Sequence, residues 1–141
     1  MANVIPYAFR GELLSGTHDF SSGGDSFKFA LYTASPYSTA STAYSATNEV
    51  SASGTGYTTT GNTLSGNAVA SGTAVASCDF SDTDWTTATF TAAFGAIYND
   101  DQSDKLCVVL DFDGNKTCTN GTFTISFPSP TTPADAIISM A

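Results

Sequence analysis

Between residues 87 and 127 apolar and polar positions alternate with a period of two in three successive runs, and this stretch sets the expected fold. In the first run Phe90, Phe94 and Tyr98 share one face, with Thr87, Thr89 and Thr91 on the other. Leu106, Val108, Leu110 and Phe112 line one face of the second; Phe123, Ile125 and Phe127 line the third, opposite Thr122, Thr124 and Ser126. Phe27, Phe29 and Leu31 alternate in the same way earlier in the chain. A strand with one oily face needs a second layer to cover it. The pattern therefore predicts an all-β protein, a two-sheet, jelly-roll-like β-sandwich.

Between these runs the polar residues 99–104 predict a hairpin loop. Asp113-Gly114 and Asn120-Gly121 predict tight turns, because Asp, Asn and Gly tolerate positive φ. Asp82-Thr83-Asp84-Trp85 reads as a further turn, with the only tryptophan capping the core beside it. Residues 34–66, rich in Ser, Thr, Ala, Tyr and Gly, predict long loops and short strands lying on a sheet or on another subunit. Weaker strands are predicted over residues 64–77 and 78–80. At the start, Ile5-Pro6-Tyr7 predicts an extended arm over residues 1–8. Phe9 and Leu13, spaced i, i+4 ahead of Gly16, predict a short helical turn after it. At the other end, Pro128, Pro130 and Pro133 cannot extend a sheet, so residues 128–141 are expected to lead away as a tail. The whole length fits a single domain.

Composition sharpens this picture. Charged residues make up only 12% of the 141 residues, so the polar surface is mostly Ser, Thr, Asn and Gly, which favours strands over helices. Four basic against 13 acidic residues leave a net charge of −9, which argues against nucleic acid or an anionic membrane as a partner. No apolar run is long enough to span a bilayer. The first residues lack the basic and apolar regions of a secretory signal, so assembly in a cytoplasm is expected. Cys78, Cys107 and Cys118 are odd in number and without C-x-x-C spacing. They are expected as reduced, partly buried thiols, with a Cys107–Cys118 bridge across a hairpin as the main alternative.

Candidate chemistry is sparse. Asp111-Phe112-Asp113-Gly114-Asn115 begins like a calcium loop, but Lys116 and Thr122 stand where such a loop needs its glycine and its last glutamate. Asp79, Asp82 and Asp84, like Asp100, Asp101 and Asp104, are expected as loop carboxylates without metal. His18 is the only histidine, and Asp19 beside it points away by alternation, so no Ser-His-Asp or Cys-His relay is expected. No G-x-S-x-G elbow surrounds a serine. The sequons at Asn115 and Asn120 would be glycan acceptors only in a secretory pathway. No catalytic residue, cofactor or metal is expected, and the chain reads as a non-enzyme.

Phe9-x-x-Glu12-Leu13-Leu14-x-Gly16-x-His18-x-Phe20, followed by Asp25-x-Phe27-Lys28-x-Ala30-Leu31-Tyr32-Thr33 and Asn48-Glu49-Val50-x-x-x-Gly54-x-Gly56-Tyr57, resembles small virion proteins of tailed bacteriophages. Ala96-Ile97-Tyr98-Asn99-Asp100 and Leu110-Asp111-Phe112-x-Gly114-x-Lys116 continue the likeness. Within that group the chain is most similar to the capsid cement, or decoration, proteins of short-tailed phages. The resemblance implies a β-rich jelly roll on the outside of the capsid that clamps neighbouring major capsid protein subunits, with no catalytic residue. A dimer or trimer is expected. Ile5, Tyr7 and Phe9 in the arm, without local partners, and Tyr37, Tyr44 and Tyr57 in the Ser/Thr/Tyr-rich segment are the expected partner contacts. The alternative is a tail-associated or carbohydrate-binding β-sandwich module.

Overall fold

A computed structural model describes residues 2–72, 74–128 and 136–140. One helix, α1 (Tyr7–Leu14), precedes strands β1 (Phe27–Tyr32), β2 (Asn62–Thr63), β3 (Ala68–Ser71), β4 (Ala76–Asp79), β5 (Thr83–Asn99), β6 (Lys105–Ile125) and β7 (Ile138–Met140). They form two antiparallel sheets, one in the order β2-β1-β5-β6 and the other β3-β4-β7, and neither closes into a barrel. The fold is thus all-β with a single short helix.

The main core takes residues from both sheets. Phe27, Phe29 and Leu31 of β1 meet Cys78 of β4, Ile138 of β7, Phe9 of α1, and Phe20 and Phe80 from the connections. Phe20 stacks on Phe27 with ring centroids 4.3 Å apart, and Phe80 meets both rings edge-on. The opposite face of the large sheet is also buried, as Ala30, Tyr32, Ala96, Tyr98, Leu106 and Val109 pack under Tyr37 and Tyr44. The Ser/Thr/Tyr-rich segment is therefore this second core's cover.

The three alternating runs resolve into two long strands. Asp113-Gly114 and Asn120-Gly121 do not reverse the chain; both lie inside the 21-residue β6. Their positive φ (55° at Asp113, 104° at Gly114, 47° at Asn120) serves irregularities in the ladder, which shifts register between Ala92 and Phe94 and again between Ala88 and Phe90. A bulge moves every later side chain to the other face. Phe90 consequently belongs to the main core, while Phe94 packs against the second core and Tyr98 belongs to it. A further shift between Ile97 and Tyr98 sends Leu106 to the second core and Val108 to the first. The expected turn at residues 82–85 is absent, because Thr83, Asp84 and Trp85 pair with Ile125, Thr124 and Phe123. Trp85 is buried there, stacked on Tyr57. Only the polar loop 100–104 makes the hairpin, with Ser103 and Asp104 both at φ 57°.

Two terminal expectations are corrected. The prolines do not keep the end of the chain off the sheet: Ile138 and Met140 pair with Cys78 and Ala76, and Ile138 is buried in the core. Pro128 is exposed; Pro130 and Pro133 lie outside the described residues. Nor is the N-terminal arm free. Val4 exchanges two backbone hydrogen bonds of 2.8 Å with Val109 on the edge of β6, and the Tyr7 N–H donates to the Thr39 carbonyl at 2.9 Å, capping the start of α1. The helix ends at Leu14, and Gly16 just beyond it has a φ of 72° with its N–H bonded to the Leu13 carbonyl.

Candidate functional site

The large apolar side chains left exposed among the described residues gather on one side of the molecule. Tyr7 (63% exposed) and Leu14 (92%) stand seven residues apart on α1, hence on one helix face. Met140 (58%) on β7 and Val69 (55%) on β3 continue this surface across the small sheet. A groove of about 350 Å³ runs between helix and strand, with Ile5, Phe9, Leu13, Leu14, Ile138 and Met140 along it. It adjoins a cavity of about 240 Å³ reaching Val69, Phe20, Cys78 and His18, and Leu13, Ile138 and Met140 line both. Arg10, on the same helix face as Tyr7, is the one cationic side chain lining the groove among the described residues. Its guanidinium lies 5.4 Å from the Tyr7 ring centroid and donates to the Ile5 carbonyl at 3.3 Å.

A buried polar cluster underlies this surface. The His18 ring is fully buried between Phe9 and Phe20, at 5.1 and 6.1 Å between centroids. Its Nε2 lies 3.0 Å from Glu12 Oε2, and its Nδ1 lies 2.9 Å from Asn99 Nδ2. Glu12 also accepts from Lys105 Nζ, and Asn99 Nδ2 also donates to Asp25 Oδ2 at 2.8 Å. Burial pushes the Glu12 carboxyl up, but the hydrogen bonds from Lys105 and His18 and the charge of Lys105 outweigh it and hold the group below its ordinary range. Asp25 is lowered in the same way: burial opposes the shift, while the Asp19 N–H and the Asn99 and Gln102 amides carry it.

Both ring nitrogens of His18 are thus engaged by Glu12 and Asn99, leaving neither for a nucleophile in this arrangement. Cys78 lines the same cavity, but burial pushes its thiol up to about 12, and Cys107 moves further in the same direction, so neither is poised as a thiolate. All three cysteines are free. The Cys107–Cys118 bridge is ruled out by geometry: both stand on β6, and their positions on the partner strand β5 are seven to eight residues, or roughly 25 Å, apart. Asp79 and Asp84 are not loop residues but lie on β4 and β5, Asp79 buried, while other aspartates serve locally. Asp100 pairs with Lys28 at 3.0 Å, Asp101 accepts the Ser26 N–H, and Asp82 accepts from Ser126 and Phe127. Asp111 accepts the Asp113 N–H at 2.9 Å.

The expected contact residues divide. Tyr7 is exposed and Ile5 half-buried, and both belong to the apolar side. Phe9 is fully buried; its missing local partners are His18 and Phe20, which the loop after α1 folds back onto it. Tyr37 and Tyr57 are buried as well, which takes them out of reach of a partner. The Tyr37 hydroxyl meets that of Tyr32 at 2.7 Å. The Tyr57 hydroxyl donates to Glu49 Oε1 at 2.8 Å and accepts the Leu31 N–H. Half-buried Tyr44 donates to Glu49 Oε2 at 2.7 Å and packs on Tyr98. Sequence reading missed Leu14, Val69 and Met140, single apolar residues without a periodic signal. It also missed Glu12 as the partner of His18, although Glu12 precedes it by only six positions. The chain matches no protein-family model, and comparison with curated proteins and with solved structures gave no match either.

Proposed function

We propose that this chain is a non-enzymatic structural protein of a phage virion. On this reading it is a cement protein that sits outside the capsid as a dimer or trimer, clamps neighbouring major capsid subunits, and holds them through the α1–β7 side. The observation that carries this reading is the gathering of Tyr7, Leu14, Val69 and Met140 on one side of the molecule, while the other large apolar groups among the described residues are buried or half-buried. An apolar patch on an otherwise polar surface is the usual mark of a protein-binding site. The closed Glu12–His18–Asn99 cluster supports a structural role over a catalytic one. The jelly-roll-like sandwich belongs to the same proposal; in its favour, one continuous core takes residues from both sheets. A carbohydrate platform at a tail tip finds less support, since Tyr37 and Tyr57 face inward.

Protein quantification on purified particles of the phage that encodes the chain tests this reading. Hundreds of copies per particle are expected. Absence from the particle, or a handful of copies confined to the tail, would sink it.

A further inference from the structure

His18 is joined through Asn99 to the turn between β5 and β6. The Asn99 side chain is fully buried, and its orientation is dictated from outside the imidazole. Its Oδ1 accepts the backbone N–H groups of Asp101 and Gln102, both at 3.2 Å, so its Nδ2 must be the atom facing His18 and Asp25. An amide nitrogen can only donate. His18 Nδ1 must therefore accept, which makes the imidazole neutral, with its proton on Nε2 donating to Glu12.

Adding a proton at Nδ1 sets N–H against N–H. The cluster can answer by turning the Asn99 amide over, so that Oδ1 faces the imidazolium. The Asp101 N–H then loses its acceptor and faces an NH₂ group, and Asp25 loses its bond from Nδ2. Gln102 keeps the Asn99 backbone carbonyl at 3.3 Å. The groups around His18 are Glu12 from α1, Lys105 from β6 bound to Glu12, Asp25 beyond Asn99, Asp19 as its chain neighbour, and the Cys78 thiol across the cavity from β4.

We propose that His18 is a proton-operated latch on the β5–β6 turn: neutral, it holds the Asn99 amide in the orientation that fixes the turn, and protonated at Nδ1, it reverses the amide and releases it. The release reaches the cover of the second core. Asp104 accepts the Tyr44 N–H at 2.8 Å and the Leu106 N–H reaches Thr42 at 3.0 Å, so the turn and residues 42–44 are tied together.

Nuclear magnetic resonance of isotope-labelled protein tests the latch. Long-range imidazole spectra at neutral pH should show the neutral ring protonated on Nε2. On acidification the Asp101 amide should shift in step with the His18 ring, and its protection factor, corrected for the slower intrinsic exchange at lower pH, should fall roughly tenfold, as for one lost hydrogen bond. In His18→Gln, whose amide can accept from Asn99 and donate to Glu12 without titrating, the Asp101 signal should stay fixed over the same range. The opposite tautomer at neutral pH, a ring that titrates without moving Asp101, or a ring that does not titrate before the fold is lost would each overturn the proposal. If the glutamine variant fails to fold, the wild-type titration alone decides.

Discussion

A methyl group added at Gly11 would meet nothing within 4 Å, and the residue lies in the middle of α1 with a negative φ. Gly11→Ala should therefore stabilise the protein by about 0.5–1 kcal/mol through helix propensity and a less flexible unfolded chain. Gly61 is the converse case. Its φ is 80°, and an added Cβ would come within 2.1 Å of the Phe29 carbonyl oxygen, on rigid β1 backbone. Gly61→Ala should cost about 2 kcal/mol or more. Urea melts of the two variants should move to opposite sides of wild type, and a stabilised Gly61→Ala would mean that β1 and residue 61 are not packed as described. At Glu12 the measurable quantity is pH dependence. Its folded carboxyl titrates below the unfolded one, as does that of Asp25, so their stabilisation is full above the ordinary carboxylate range and lost as the pH falls through the folded values. Stability should thus decline from about pH 5 downward. Glu12→Gln should flatten part of that decline, whereas parallel curves for variant and wild type would show that the ion pair with Lys105 contributes nothing.

At the scale of elements, β1 was legible because three apolar side chains alternate without interruption and every residue pairs in register with β5. The later strands were legible as strands but not as faces. A bulge leaves the local alternation intact on either side of it and shows only in the partner's register, so grouping Phe90 with Phe94 and Tyr98 could not be tested from one strand. The positive-φ residues were correctly found and assigned the wrong use, since Asp-Gly and Asn-Gly satisfy a bulge as well as a hairpin turn. β7 was missed because three residues with one buried side chain carry no period. The arm was read as free because its pairing partner, Val109, lies more than a hundred residues away. That pairing changes the expected result of truncation. Removing residues 1–6 takes away both Val4 hydrogen bonds and the half-buried Ile5, together about 2–4 kcal/mol. The truncated chain should melt several degrees below full length, and an unchanged melting temperature would show that the arm does not hold β6 in solution.

At the scale of the whole molecule, charge and apolar surface make opposite demands on any partner. The chain carries −9 overall, and several of its carboxylates (Glu12, Asp25, Glu49, Asp100 and Asp101) already take hydrogen bonds or ion pairs within the fold. Attachment through the remaining acidic surface to a basic partner would weaken steeply with added salt, because the screening length falls from about 10 Å at 0.1 M to about 3 Å at 1 M. Attachment through the α1–β7 side should not. Leu14, Val69 and Met140 carry no charge, and burying each offers roughly 1.5–3 kcal/mol before ordering costs, an energy that many identical sites on a lattice would multiply. Retention on purified particles should therefore be nearly the same in low and high salt. Leu14→Asp combined with Met140→Asp should abolish it while leaving the melting temperature close to wild type, since both side chains are mostly exposed in the free protein. Thr91→Asp together with Thr117→Asp, on the exposed distal half of the β5–β6 hairpin, provides the control and should leave retention unchanged. Should the α1–β7 double variant stay on particles as well as wild type, or should salt alone strip the wild-type chain, the contact surface lies among the carboxylates instead.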